Sequence, residues 1–343
     1  MRNQSPKVRY INQYKTKTPE LRYDGSESFD IWQKKAYDKL WEILGLDLIK
    51  KCDIDYLEEE RNECDEYTQI RFSFQSEQGY YAPAVIRIPK NHEGELVPMI
   101  CLQGHTTGMH ISLGEVKYPI DSIVDDLDFA IHALKNGYCP IILEQRYMGE
   151  CGGDNYGPGC SPSGLRKDFI SVYPTLMLGR TAVGERVWDV SRLIDVLYEK
   201  FSFLALDKLI CMGVSGGGTA TFYSSCIDQR IKTSITSNAF CSYLNSIVEI
   251  SHCPCNHIPS IARYFDMGDL AGLVAPRNLM IVSGDSDPIF PTKNAKEQFE
   301  IAKRLYDAAG VGDKIVQVIG DGGHRFFADR CYPVLANMLE KNK

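Results

Sequence analysis

Five consecutive residues, Gly213-Val214-Ser215-Gly216-Gly217, raise the chemical question in this chain. A serine hydroxyl is a weak nucleophile until a base stands beside it and its oxygen is presented at a turn. Small residues two before and two after Ser215 let neighbouring backbone close in on such a turn. The residues before it, KLICMGV, read as a buried strand, and those after it, GGTATFYSSC, as a helix. A serine at that junction faces the first amides of a helix, whose dipole favours a developing negative charge. Two other glycine-rich chemistries fail on residue type. A phosphate-binding P-loop requires a Gly-Lys-Ser/Thr end, and no lysine is present here. A dinucleotide fingerprint requires Gly-x-Gly-x-x-Gly, a spacing that Gly213, Gly216, Gly217 and Gly218 do not make. The competing reading is a glycine-rich packing turn.

A nucleophilic serine needs a base, and the base needs an orienting acid, in the chain order Ser, Asp or Glu, His on this kind of sheet. After the strand pattern NLMIV comes SGDSDPIFP, in which Asp287 precedes a proline in a tight turn; Asp285 is its rival. After KIVQVI comes DGGHRFF, and His324 is the only histidine beyond Asp287. Two backbone amides must receive the oxyanion. Gly216 supplies one, and the loop LQGHTTGMH the other: His105, which follows Gly104, is the better donor and Thr106 the second. The side chains of His105 and His110 line the pocket in this reading. Arg146 either holds a substrate carboxylate or anchors a core acid in an ion pair.

These residues need a scaffold. FDIWQKKAYDKLWEILG has apolar positions at Phe29, Trp32, Ala36, Leu40 and Ile43, a helical spacing stopped by Gly45. YTQIRFSFQ and YYAPAVIRIP, rich in β-branched and aromatic residues, read as a hairpin. LVPMICLQG and YCPIILEQR read as buried strands, with DSIVDDLDFAIHALKNG between them as a helix closed by Gly137. RTAVGERVWDVSRLIDVLYEK is a helix with Val183, Val187, Val190, Ile194 and Leu197 on one face. IKTSITS is a further strand, TKNAKEQFEIAKRLYDAAG a further helix, and the C-terminus helical. This alternation predicts an α/β domain: a mostly parallel central sheet with helices on both faces, an antiparallel edge hairpin, and an N-terminal helical extension over 1–60. One domain over 1–343 is expected, with long loops at 147–180 and 240–275 near the pocket.

Composition sets the outer limits. The chain has 343 residues, 44% hydrophobic and 24% charged, which is globular and long enough for a large core. A formal net charge of −7 argues against nucleic acid as the partner. Glu58-Glu59-Glu60-Arg61 reads as a solvated surface. No apolar run is long enough for a membrane span and no export signal is visible, so a cytoplasmic protein is expected, acting alone or as a homo-oligomer. Twelve cysteines, several inside apolar runs, read as reduced thiols. SHCPCNHI offers His252, Cys253, Cys255 and His257, but one residue between the cysteines is tighter than structural zinc spacing. A pocket-side loop is the expectation there, with no metal; a small metal-binding protein built on HCPCNH is the rival reading, which stoichiometric zinc would mark. Cys151 and Cys160 could form a regulatory disulfide, which sequence alone does not establish.

Taken in order, LQGH, GVSGGG, GDSDPIFP and GGHRF resemble the α/β-hydrolases of the dienelactone hydrolase and acetyl xylan esterase-like group. CPCNHIPSIARYFDMGDLAGLVAPRNLMIVSGDSDPIFP is similar to that group as well, and so is the N-terminal helix. The resemblance spans roughly residues 20–340. It implies Ser215 as nucleophile, His324 as base, Asp287 as orienting acid, and hydrolysis of small esters, often acetyl groups on sugars, with no cofactor. The chain departs from the group at three places. Cephalosporin-deacetylating members carry Arg-Gly-Gln where this chain has Arg146-Tyr147-Met148-Gly149, and Gln where it has Gly216. Dienelactone hydrolases proper use cysteine where it has Ser215. The alternatives left open are a peptidase or an amide or thioester hydrolase on the same fold, and a non-catalytic ligand-binding relative.

Overall fold

A computed structural model describes residues 5–119, 121, 127–152 and 172–341. Among the described residues nine strands form one sheet: β1 (Leu57–Glu63), β2 (Tyr67–Glu77), β3 (Tyr80–Pro89), β4 (Pro98–Leu102), β5 (Cys139–Leu143), β6 (Ile210–Val214), β7 (Thr233–Ser237), β8 (Asn278–Gly284) and β9 (Ile315–Gly320). Their order across the sheet is β1-β2-β3-β5-β4-β6-β7-β8-β9. The pairs from β5 through β9 are parallel, and β1, β2 and β3 run antiparallel at one end. The hairpin is where its residues predict it. The strand β1 corrects only the end of the expected helical extension over 1–60, at residues 57–60. Its residues LEEERNE are exposed throughout, so the solvated charged run is the outer edge of the sheet.

Strands β4 through β8 are buried on both faces, and their alternating side chains feed two different cores. Met99, Cys101, Met212, Met280 and Val282 face a core shared with the helices Phe129–Lys135 and Ala328–Glu340. Ile100, Leu102, Ile141 and Cys211 face the other side, where Val190, Ile194 and Leu197 of the helix Ala182–Lys200 cover them. That helix opens on Thr181, whose hydroxyl accepts the Gly184 amide as an N-cap. All five residues predicted for its apolar face are buried. Of the helix predicted between β4 and β5, the described part begins only at Phe129, after Asp128; the segment 122–126 lies outside the described residues.

The N-terminal helix Phe29–Leu44 buries Trp32, Ala36, Leu40 and Leu44, and ends at Gly45 in the left-handed conformation, φ 73°. Each large side chain so buried contributes about 1.5–3 kcal/mol. Its polar groups bind it further: Gln33 Nε2 donates to the carbonyls of Gly272 and Ala275, and the Trp32 indole donates to Leu21. This helix thereby braces the 267–275 turns that lead into β8, the strand that runs up to Asp287. The loop expected over 240–275 is built from short helical turns at Leu244–Val248, Pro254–Asn256, Ile261–Tyr264 and Met267–Leu270.

Candidate active site

Ser215 stands between β6 and the helix Gly216–Ile227 with φ 55° and ψ −121°. That positive φ is a strained state for a residue with a side chain, held by its surroundings. The Ser215 amide donates to the Ser237 carbonyl at 2.9 Å, which ties the turn to the end of β7. A Cβ on Gly217 would stand 2.0 Å from the Leu102 carbonyl oxygen, and one on Gly213 2.4 Å from the Gly217 oxygen. The glycines before and after the serine are therefore required by backbone packing. Ser215 remains partly accessible.

The acid and base come from the ends of the next strands. Asp287 lies beyond β8, with its side chain fully buried, and His324 lies beyond β9. His324 Nδ1 and Asp287 Oδ2 are 2.8 Å apart. Asp287 Oδ1 accepts the backbone amides of Ile289 at 2.8 Å and Phe290 at 3.1 Å. Burial would raise the Asp287 carboxyl, but the hydrogen bond and charge of His324, with the Asn238 amide, hold it below its ordinary range. Phe290 stacks on the His324 ring, 6.0 Å between centroids and 13° between planes. The other imidazole nitrogen, Nε2, is buried and makes no hydrogen bond. Asp285, the rival acid, instead accepts the Gly322 amide at 2.9 Å and shapes the loop that carries the histidine.

Asn238 has no place in the sequence reading, although it orients the acid. It follows β7 with φ 48°, and its Nδ2 donates to Asp287 Oδ2 at 2.7 Å. Ser237 Oγ donates to its Oδ1 at 2.8 Å. A continuous path thus runs from Ser215 through Ser237 and Asn238 to Asp287 and His324. An asparagine tolerating positive φ at a strand end was the available signal.

The loop after β4 passes against the nucleophile. A Cβ on Gly104 would stand 3.1 Å from Ser215 Cβ. The Thr106 amide is committed to the Gly104 carbonyl at 2.8 Å, which leaves the second-ranked oxyanion donor occupied. Gly216 opens its helix, so its amide has no carbonyl within the helix to bond. Glu144, at the end of β5, accepts the amides of Met109 at 3.0 Å and Glu150 at 3.3 Å, and Gln103 Nε2 at 2.7 Å. Burial pushes this carboxyl up to about 7, against those two amides. The His110 ring is tied into the fold: its Nε2 meets Asp121 at 3.0 Å and Thr107 at 3.1 Å in a buried network.

Arg146 is committed elsewhere too. Nε and Nη2 grip Asp189 at 2.8 and 3.0 Å, Nη1 reaches Glu77 at 2.9 Å, and the guanidinium lies 4.0 Å from the Tyr80 ring centroid. Arg180 adds a second cation on Glu77 and Glu185. Of the two readings of Arg146, the geometry matches the anchor of a core acid.

The His105 side chain lies against the start of the helix after Ser215. A Cβ on Gly216 would lie 2.6 Å from its Nδ1, so the ring rests on the residue after the nucleophile. Its Nε2 lies 3.0 Å from Cys253 Sγ and 3.2 Å from Cys255 Sγ. His252 and His257 do not join them: His252 Nε2 meets Ser246 Oγ at 2.8 Å, and His257 is exposed. The four-residue cluster of the sequence is thus replaced by a cluster of three, across a separation that spacing does not reveal. Hydrogen bonding from Cys253 holds the Cys255 thiol well below the ordinary range against its burial, aided by the charges of His105 and Arg186. The described cysteines, Cys151 among them, are not joined in disulfides, and Cys160 lies outside the described residues.

Strand order, the strand–serine–helix turn and the Asp–His pair on later strand ends are those of the α/β-hydrolase fold. No family model matches the chain. Among curated proteins it is 24% identical to "Putative hydrolase YtaP" of Bacillus subtilis (strain 168) over 249 residues, 71% of this chain and 78% of that one. Among solved structures it is similar to a "putative acetyl xylan esterase" from Bacteroides fragilis NCTC 9343, with TM-score 0.77 and 14% identity over 100% of this chain and 96% of that one. It is also similar to a glucuronoyl esterase from Solibacter usitatus, with TM-score 0.67 and 15% identity over 94% and 96% of the two chains. A third, methylesterase BT1017, has TM-score 0.69 and 17% identity, over 97% of this chain and 67% of that one. At these identities the likeness to the solved structures is one of fold. Among the described residues, no helix is long and apolar enough to cross a membrane.

Proposed function

We propose that this chain is a serine ester hydrolase that works through an acyl-enzyme on small esters, with acetylated sugars as the favoured class. The observation that carries the reading is the Asp287–His324 pair, with Nε2 of the histidine buried and unpartnered, at the same sheet edge as the strained Ser215 turn. Esterases among the structural neighbours, and a relative named a hydrolase, support the reaction class. In the reaction, Ser215 Oγ attacks the ester carbonyl carbon while His324 Nε2 takes its proton. Asp287, fixed by Asn238 and two amides, holds Nδ1 and stabilises the imidazolium. The amides of Gly216 and His105 receive the oxyanion. Collapse returns the proton to the departing alcohol. A water deprotonated by His324 then releases the acid and frees Ser215. The groups named supply every proton step.

The test is hydrolysis of p-nitrophenyl acetate by the purified chain beside Ser215→Ala. Turnover by the wild type that the variant loses, with fluorophosphonate labelling of the wild type alone, is the expected result. A folded wild type that neither turns over nor labels refutes the reading.

A further inference from the structure

The three side chains at the far side of the oxyanion loop are arranged as ligands rather than as a hydrogen-bonded group. His105 Nε2, Cys253 Sγ and Cys255 Sγ form a triangle with edges of 3.0, 3.2 and 2.8 Å. A neutral imidazole nitrogen offers one proton or one lone pair, so Nε2 cannot serve both sulfurs at once. Two sulfurs facing each other at 2.8 Å are inside ordinary van der Waals contact and outside a disulfide bond of about 2.05 Å. Three donor atoms drawn to one point, with at most two of the three edges satisfiable as hydrogen bonds, is what a shared central ion would produce. The next layer suits ligands too: Asn256 Nδ2 donates to Cys253 Sγ at 3.4 Å, and Thr219 Oγ1 donates to Asn256 Oδ1 at 3.2 Å. Both cysteines are buried, and Val172, Ala182 and Tyr147 pack around them.

We propose that His105, Cys253 and Cys255 bind one zinc-class ion, a borderline-soft divalent cation held by two thiolates and an imidazole. With zinc bonds of about 2.3 Å to sulfur and 2.0 Å to nitrogen, tetrahedral ligation opens the triangle by about 0.3–1 Å, a change that side-chain rotation supplies. Three protein ligands leave a fourth position for water or another donor. The ion fastens the loop 103–109, which runs against Ser215, to the turn at Pro254–Asn256. It is a positioning site: it holds the ring of His105, the residue whose amide is assigned to the oxyanion, takes no part in the proton steps, and stands or falls apart from the ester-hydrolase reading.

The experiment is a Co2+ titration of the full chain, tag-free and reduced with a phosphine, together with elemental analysis of the protein as purified. One equivalent of cobalt with a thiolate-to-cobalt charge-transfer band and tetrahedral d–d bands is expected. Zinc should displace it stoichiometrically. Cys253→Ser/Cys255→Ser should lose the band, and His257→Ala should keep it. A reduced, folded wild type with no charge-transfer band overturns the proposal, as does a band that survives the double cysteine variant. A chain that keeps its Cys253–Cys255 pair oxidised through purification, two hydrogens lighter and metal-free, overturns it in favour of a disulfide. Loss of p-nitrophenyl acetate turnover in Ser215→Ala has no bearing on the band, so the two readings fail separately.

Discussion

Asn238→Ala is the sharpest probe of the acid–base pair. Asp287 accepts four hydrogen bonds: from His324 and Asn238 on Oδ2, and from the Ile289 and Phe290 amides on Oδ1. The variant removes one and leaves three. A hydrogen bond to a buried charge nets about 1.5–3 kcal/mol. The carboxylate is charged both at rest and in the transition state, so only part of that loss reaches the barrier. The full value corresponds to roughly 10–150-fold in rate; about tenfold in kcat, with KM little changed, is the expected result. Losing the donor also raises the Asp287 carboxyl from its depressed position. A group with a depressed folded pKa stabilises above its unfolded value and loses that contribution as pH falls through the folded one. The variant should therefore lose activity at higher pH than the wild type on the acid side. Steady-state hydrolysis of p-nitrophenyl acetate from acid to neutral pH reads both effects, with circular dichroism to check folding. A folded variant with unchanged kcat and an unmoved acid limb refutes the assignment of Asn238 as a positioning residue.

Arg146→Ala strips a buried carboxylate, Asp189, of its bidentate partner; it should destabilise the fold by about 3–5 kcal/mol in denaturant titration. Gly217→Ala places a methyl 2.0 Å from the Leu102 oxygen, and a loss of at least about 1–3 kcal/mol is expected in thermal melts. Glu144, raised by burial to about 7 from 4.5, has its full stabilising effect below the unfolded value and loses it as pH rises through the folded one. That difference is worth about 3 kcal/mol, so Glu144→Gln should flatten the decline in urea midpoint between mildly acidic and mildly alkaline pH, and an unchanged slope would exclude the residue as its cause.

The parts of this site that sequence discloses are those governed by local rules. Ser215 is legible because a strand, a turn that only glycines permit and a helix follow one another within about a dozen residues. Asp287 and His324 are legible because each ends a strand in an order the fold dictates. Asn238 is hidden because its partner is 49 residues away and its own neighbours suggest only a strand end. His105 is hidden in a different way. Its sequence position predicts a backbone role, and nothing local shows that its ring meets cysteines about 150 residues on. Spacing among Cys253, Cys255 and the nearby histidines points to the wrong partners, because ligand distance is set by packing of separate elements. The strand β1 escapes for want of a hydrophobic face: an edge strand with every residue exposed has no alternation to detect.

That same strand has a consequence for how copies of the molecule meet. β1 pairs with β2 on one side, and its residues Glu58, Glu59, Glu60 and Glu63 lie along the sheet's rim with a register break between Glu58 and Glu60. An open rim is a template for another strand, and charge together with a bulge discourages such addition. The rim is therefore a fence of charge, its glutamates interleaved with Arg61, Arg71 and Lys90. High salt lowers it. Sheet-to-sheet association of the native protein should begin there, well before the fold itself gives way.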